Sequence, residues 1–197
     1  MSDSGIGSKV TGAVSSVENT VFFKFAKPYL DFIGKGTMFT IVYIIGAGAS
    51  ILMPIIAIVA AAVSGIFTAG AQAVIWFIFT WFFIAFAGWI GFQLWWDRKS
   101  QVTEVRDSEF VATPIIADIV RTFGEWLGTF MAIVGFGAGL FGLIIYFDLL
   151  SELPGGPALI IVGPIAGFFT ILFFRLAAES LKIFVNIANS VRDIAKK

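Results

Sequence analysis

Residues 36–96 read GTMFTIVYIIGAGASILMPIIAIVAAAVSGIFTAGAQAVIWFIFTWFFIAFAGWIGFQLWW, without one Asp, Glu, Lys or Arg. One bilayer crossing takes roughly 20 apolar residues, so this run holds two helices and the bend between them. The bend is Ser64 to Gly70 (SGIFTAG), rich in small residues. That places the first span near Phe39 to Val63 and the second near Ala71 to Trp95. Two further uncharged stretches, Trp126 to Phe147 and Pro157 to Phe174, predict a third and a fourth. Between them DLLSELPGG (Asp148 to Gly156) is a turn, with a Pro-Gly-Gly breaker.

The rest of the composition agrees. Apolar residues are 58% of the 197 and charged residues 13%, with a mean hydropathy of +0.95. Soluble domains carry about 25% charged residues, so the chain belongs to the membrane class before any motif is sought. Net charge is zero, and the 13 Lys and Arg form no block suited to neutralising phosphates, which argues against a nucleic-acid partner. There is no Cys and no His. Disulfides, thiolate metal sites, thiol nucleophiles and histidine-based catalysis or ligation are therefore excluded. No phosphate loop, serine elbow or metal-ligand spacing is found. The reading is of a protein that is not an enzyme, with no catalytic residue, no metal and no cofactor.

The basic residues predict orientation. Lys9, Lys24, Lys27 and Lys35 precede span one; Arg98, Lys99, Arg106 and Arg121 lie between spans two and three; Arg175, Lys182, Arg192, Lys196 and Lys197 follow span four. All fall on one side of a four-span arrangement, as the positive-inside rule requires. Both termini are therefore expected in the cytoplasm. Residues 1–35 do not read as a secretory signal and form an N-terminal cytoplasmic amphipathic segment with the stripe Ile6, Val10, Val14, Val17 and Val21. Residues 36–96 are the first hairpin, and 97–125 a charged connector with the lead-in to the next helix. Residues 126–174 are the second hairpin, and 175–197 a cytoplasmic amphipathic helix with the stripe Leu176, Ile183, Ile187, Val191 and Ile194. That helix could lie on the membrane surface or pair with the N-terminal stripe. Trp95, Trp96 and Trp126 are expected as anchors at the cytoplasmic interface, with Trp76 and Tyr146 at the other.

The halves repeat each other. Phe25-Ala26-Lys27-Pro28-Tyr29-Leu30-Asp31 before span one parallels Val111-Ala112-Thr113-Pro114-Ile115-Ile116-Ala117-Asp118 before span three. A Gly-rich span follows each. The fold class is thus all-α integral membrane: four transmembrane helices as two tandem hairpins in a parallel repeat, with amphipathic ends. At these residues the chain resembles the small bacterial membrane proteins known as domain of unknown function 4282. Thr113-Pro114-Ile115-Ile116, and Phe174-Arg175-Leu176 with Glu179, Phe184, Asn189 and Ile194, carry the likeness. It covers roughly residues 110–197 and, more loosely, 22–96. The first copy departs from it, ending in Gln93-Leu94-Trp95-Trp96-Asp97-Arg98 without the Arg-and-Glu exit helix. Typical members have two spans, so the resemblance implies a fused pair in a bacterial inner membrane. It implies no activity.

Four patterns stand out as candidate functional surfaces. Gly128, Ala132, Gly135, Gly139 and Gly142 share one face of span three at spacings of four, three, four and three; Gly163 and Gly167 in span four, and Gly46 and Ser50 in span one, repeat the theme. Such faces let helix backbones approach closely, within the bundle or between copies. In span two Phe79, Phe82, Phe86, Trp89 and Trp96 form an aromatic ridge that could meet lipid, a protein partner, or a flat apolar ligand such as a quinone or carotenoid. Pro54 and Pro164 each interrupt a span without an accompanying charge, which argues for packing over ion transport. Arg175 and Glu179, four apart, could pair at the membrane edge. The function expected is a structural or accessory membrane subunit whose partners are the bilayer and itself or other membrane proteins. The alternative is a binding or transport protein for an apolar small molecule.

Overall fold

A computed structural model of the chain describes residues 37–100, 112–145, 156 and 158–195. The N-terminal stripe, the first copy of the repeated lead-in motif, most of the charged connector, Tyr146 and the Asp148–Gly155 turn lie outside these residues. The chain divides into Met1–Met38 and Phe39–Lys197, and the second part contains the bundle.

All regular structure among the described residues is helical: α1 (Thr37–Val63), a 3-10 turn (Ile66–Thr68), α2 (Ala71–Lys99), α3 (Ala112–Ile145) and α4 (Leu159–Ala195). Each of the four α-helices is long and apolar enough to cross a membrane. In a bilayer core no water pairs with the backbone, so an uncharged run of this length must satisfy its N–H and C=O groups internally, as a helix does. The expected span Phe39–Val63 is reproduced. The others extend further: α2 carries Asp97, Arg98 and Lys99 in its last turn, α3 fuses the lead-in with the span, and α4 runs unbroken past Arg175.

The turn between α1 and α2 rests on two glycines. Gly65 has φ 78° and Gly70 φ 107°, values that a side chain would strain. Thr68 Oγ1 donates to the Gly65 carbonyl at 2.9 Å and tightens the bend.

Side chains are distributed inside out. Small and polar residues (Ala47, Ser50, Ala61, Ala87) are buried beside a few large ones (Phe39, Tyr43, Phe77, Trp95, Ile115), while Ile45 is 63% exposed, Val63 84% and Phe173 67%. A soluble bundle buries its large aliphatics. Lipid is as apolar as they are, so backbones close on small residues instead and the bulk points outward. The chain is an integral membrane protein.

Close approaches fix the bundle. Pro54 has no N–H, so the Ser50 carbonyl loses its usual helical donor. Gly88 of α2 fills the gap: a Cβ there would come within 2.6 Å of that oxygen. Trp81 Nε1 also crosses from α2 and donates to the Pro54 carbonyl at 2.9 Å. Between α2 and α3, Trp76 Nε1 donates to the Ala138 carbonyl at 3.0 Å, and Phe79 stacks on Phe141 at 4.4 Å.

Candidate functional site

At the end of the bundle where α2 and α4 leave the apolar layer, polar side chains from all four helices meet. Glu125 of α3 is their centre, with 8% of its side chain exposed. Its Oε1 accepts from Arg121 Nε at 2.9 Å and from Arg175 Nε at 2.8 Å; its Oε2 accepts from Arg98 Nη2. Arg98 also donates through Nη1 to Thr122 Oγ1 at 2.8 Å, and that hydroxyl donates to the Asp118 carbonyl at 2.7 Å. The Tyr43 hydroxyl of α1 donates to Asp118 Oδ2 at 2.6 Å. One carboxylate thus ties α3 to α2 and α4, and about two turns earlier a second carboxylate takes up α1.

Local sequence explains the layout. Arg121 and Thr122 each lie three or four residues from Asp118 and from Glu125, which puts the four on one side of α3. Arg98 sits in the last turn of α2, and Arg175 sixteen residues into α4, at the matching depth of an antiparallel neighbour. The pair expected between Arg175 and Glu179 gives way to this arrangement. The Arg175 guanidinium reaches across to Glu125 at 2.8 Å, because a buried carboxylate offers a stronger partner than an exposed one on its own helix.

Chemically the centre ties helices together through charge-assisted hydrogen bonds. Oε1 of Glu125 accepts from two guanidinium groups and Oε2 from one, so three of its roughly four acceptor sites are engaged by arginines. Among the described residues no cluster of carboxylates could hold a metal ion. Tyr43 is fully buried and donates one bond to a charged acceptor. Tyr43→Phe is expected to lower stability by about 1.5 kcal/mol, the loss of one charge-assisted hydrogen bond, read as a lower melting temperature in mild detergent. An unchanged melt would mean that α1 does not depend on that tie.

The small-residue face of α3 lies against α4. A Cβ on Gly128 would meet the Gly167 carbonyl at 2.5 Å, one on Gly135 the Gly163 Cα at 2.8 Å, and one on Gly139 the Ile160 nitrogen at 2.6 Å. Ala132 touches the Gly167 position, while Gly142 is turned to Trp76 of α2. Gly46 abuts Trp95, and Ser50 lies beside Gly88 and Gly91. Of the two readings of these faces, close approach within one chain is the one the geometry fills.

The aromatic ridge points outward: Phe79, Phe82, Phe86, Trp89 and Trp96 are all exposed. An apolar recess of about 320 Å³ opens beside it at the other end of the first hairpin, between Ile58, Phe67, Phe77 and Trp81. Of the ridge residues Phe82 alone lines it. Trp95, expected as an interfacial anchor, is instead buried, edge-on to Tyr43 and Trp126. The small Gly46 opposite gives the indole a socket inside the bundle.

Sequence reading passed over Glu125, Arg98, Arg121, Thr122, Asp118 and Tyr43 as site residues. One signal was present: an acid beside Trp126, at the very edge of an uncharged run, with arginines at the ends of three spans. Only knowing that those ends share one depth makes them neighbours.

No family model matches the chain, and neither the curated proteins nor the solved structures compared with it contain a match.

Proposed function

We propose that this integral membrane protein is a non-enzymatic subunit, structural or accessory, that assembles with itself or with other membrane proteins in a bacterial cytoplasmic membrane. Its arginine-rich end and both termini face the cytoplasm in this reading, as the distribution of basic residues favours. The observation that carries it is the gathering of three arginines on Glu125. That carboxylate serves to hold helices, while Phe82, Phe86 and Trp89 of α2 and Phe168, Phe169 and Phe173 of α4 remain outward. The resemblance of residues 110–197 to domain of unknown function 4282 belongs with this proposal and adds no activity to it.

Extraction from native membranes in mild detergent, followed by intact-mass analysis, tests the reading. The expected species is larger than one chain. A lone monomer with no co-purifying protein would overturn it.

The recess beside Phe82 favours a second reading, a protein that binds an apolar small molecule. Lipid or pigment retained through purification, and lost on Phe77→Ala, would support that; a clean apolar extract would remove it.

A further inference from the structure

The centre around Glu125 is not neutral. Three guanidinium groups, those of Arg98, Arg121 and Arg175, gather about two carboxylates, Glu125 and Asp118. Glu179 acts on Arg121 from α4 at longer range, and Lys182, three residues further along that helix, brings a charge to match it. One positive charge is left over. It belongs to the outer side of the centre: Arg98 is closed in by Thr122 and Glu125, whereas the side chains of Arg121 and Arg175 are 42% and 50% exposed.

These two guanidinium groups are held side by side. Both reach the same oxygen of Glu125, Arg121 through Nε at 2.9 Å and Arg175 through Nε and Nη2, each at 2.8 Å. Their inner edges are thereby occupied. Among the described residues, neither Nη nitrogen of Arg121 nor Nη1 of Arg175 donates to any acceptor. Like charges fixed this close repel each other, and each guanidinium keeps planar N–H donors turned outward. The pair is preorganised for an anion with several oxygens.

Depth names the anion. Glu125 adjoins the uncharged run that starts at Trp126, and Arg175 directly follows the one that ends at Phe174. The pair therefore stands where hydrocarbon gives way to headgroups, the layer that holds lipid phosphates. We propose that Arg121 and Arg175 together bind the phosphate of a lipid with net negative charge. Arginine takes phosphate through paired N–H groups, and basic sites between membrane helices at this depth hold anionic headgroups. A choline headgroup brings its own cation and leaves the surplus charge unanswered. Below the phosphate the acyl chain has a track: Leu172 and Phe168, three and seven residues before Arg175, share its face of α4 and are exposed. The lipid then clasps α3 to α4 from outside, at the level where Glu125 clasps them from within.

The outcome does not depend on whether the chain assembles. Thermal unfolding of the full chain in mild detergent, with phosphatidylglycerol or phosphatidylcholine added, tests the site. Phosphatidylglycerol is expected to raise the melting temperature with its concentration, as a ligand of the folded state does, and phosphatidylcholine to leave it unchanged. Arg121→Gln with Arg175→Gln is expected to weaken the response to phosphatidylglycerol by roughly tenfold in concentration or more, the loss of charge-assisted hydrogen bonds. Lys99→Gln, which removes one charge beside Trp96 at the same end of the bundle, keeps the full response. Intact-mass analysis reads the lipid directly, whatever the variants do to the melt: phosphatidylglycerol stays on the unaltered chain and is absent from the double variant. An equal loss on Lys99→Gln would reduce the effect to net charge and overturn the site. Inorganic phosphate that raised the melt as far as the lipid does would make the ligand a free anion and overturn the lipid. Glu104, Asp107 and Glu109 of the connector are the rival anions; seated on the arginines, they would leave the melt indifferent to every lipid added, and that result too would end the proposal.

Discussion

Glu125→Gln is expected to destabilise the folded bundle by about 3–5 kcal/mol, the cost of breaking a buried ion pair by removing one partner. The side chain keeps its shape, so the loss isolates charge. Arg98, Arg121 and Arg175 would converge on a neutral amide that can satisfy only some of their N–H groups and can no longer offset their mutual repulsion. Thermal unfolding in mild detergent, followed by tryptophan emission, is the measurement; Trp95 and Trp126 lie within the affected end and report on it. The arginines are not equivalent. Arg98 is 15% exposed and Arg175 50%, so Arg98→Gln is expected to cost several times more than Arg175→Gln. An exposed ion-pair arm contributes at most about 1 kcal/mol. Glu179→Gln is the control: if it matched Glu125→Gln, Arg175 would be pairing within its own helix after all.

The second large effect is steric. Gly135→Leu should separate α3 from α4, because even a Cβ at that position would lie 2.8 Å from the Gly163 Cα. The obstacle is backbone, which has no rotamer to move to. Overfilling costs roughly 1–3 kcal/mol where side chains can give way, and the upper end or beyond is expected here. No hydrophobic force draws helices together in lipid, so lost backbone contact has little to replace it. The sign can be checked at an open glycine of α1: Gly48→Leu meets open space and is expected to leave the melt unchanged. If Gly135→Leu were equally silent, the α3–α4 contact would be looser than the geometry describes.

These two sites divide cleanly in how far they could be read in advance. The glycine row of α3 was legible because its meaning is local: small residues at alternating spacings of three and four mark a face for close approach whatever the partner is. Its match in α4, Gly163 and Gly167, was legible for the same reason. The Glu125 centre was not. Its arginines come from α2, from α3 itself and from α4; chain order puts those ends on one side of the membrane but does not say that they converge on one carboxylate. The nearer partner in sequence, Glu179 for Arg175, is the wrong one. Trp95 shows the same failure in another guise, since a tryptophan at the end of a span is as often an anchor as a core ring. Only the socket left by Gly46 decides between them.

The number of membrane-crossing helices and the small-residue faces follow from the sequence by itself. An uncharged run in lipid has no other way to pair its backbone, and that constraint acts residue by residue. The tertiary structure alone decided which carboxylate gathers the arginines and which indole goes inside. Those outcomes depend on the depth and rotation of one helix against another. They are set by where backbones can touch, and a linear order of residues does not contain that distance.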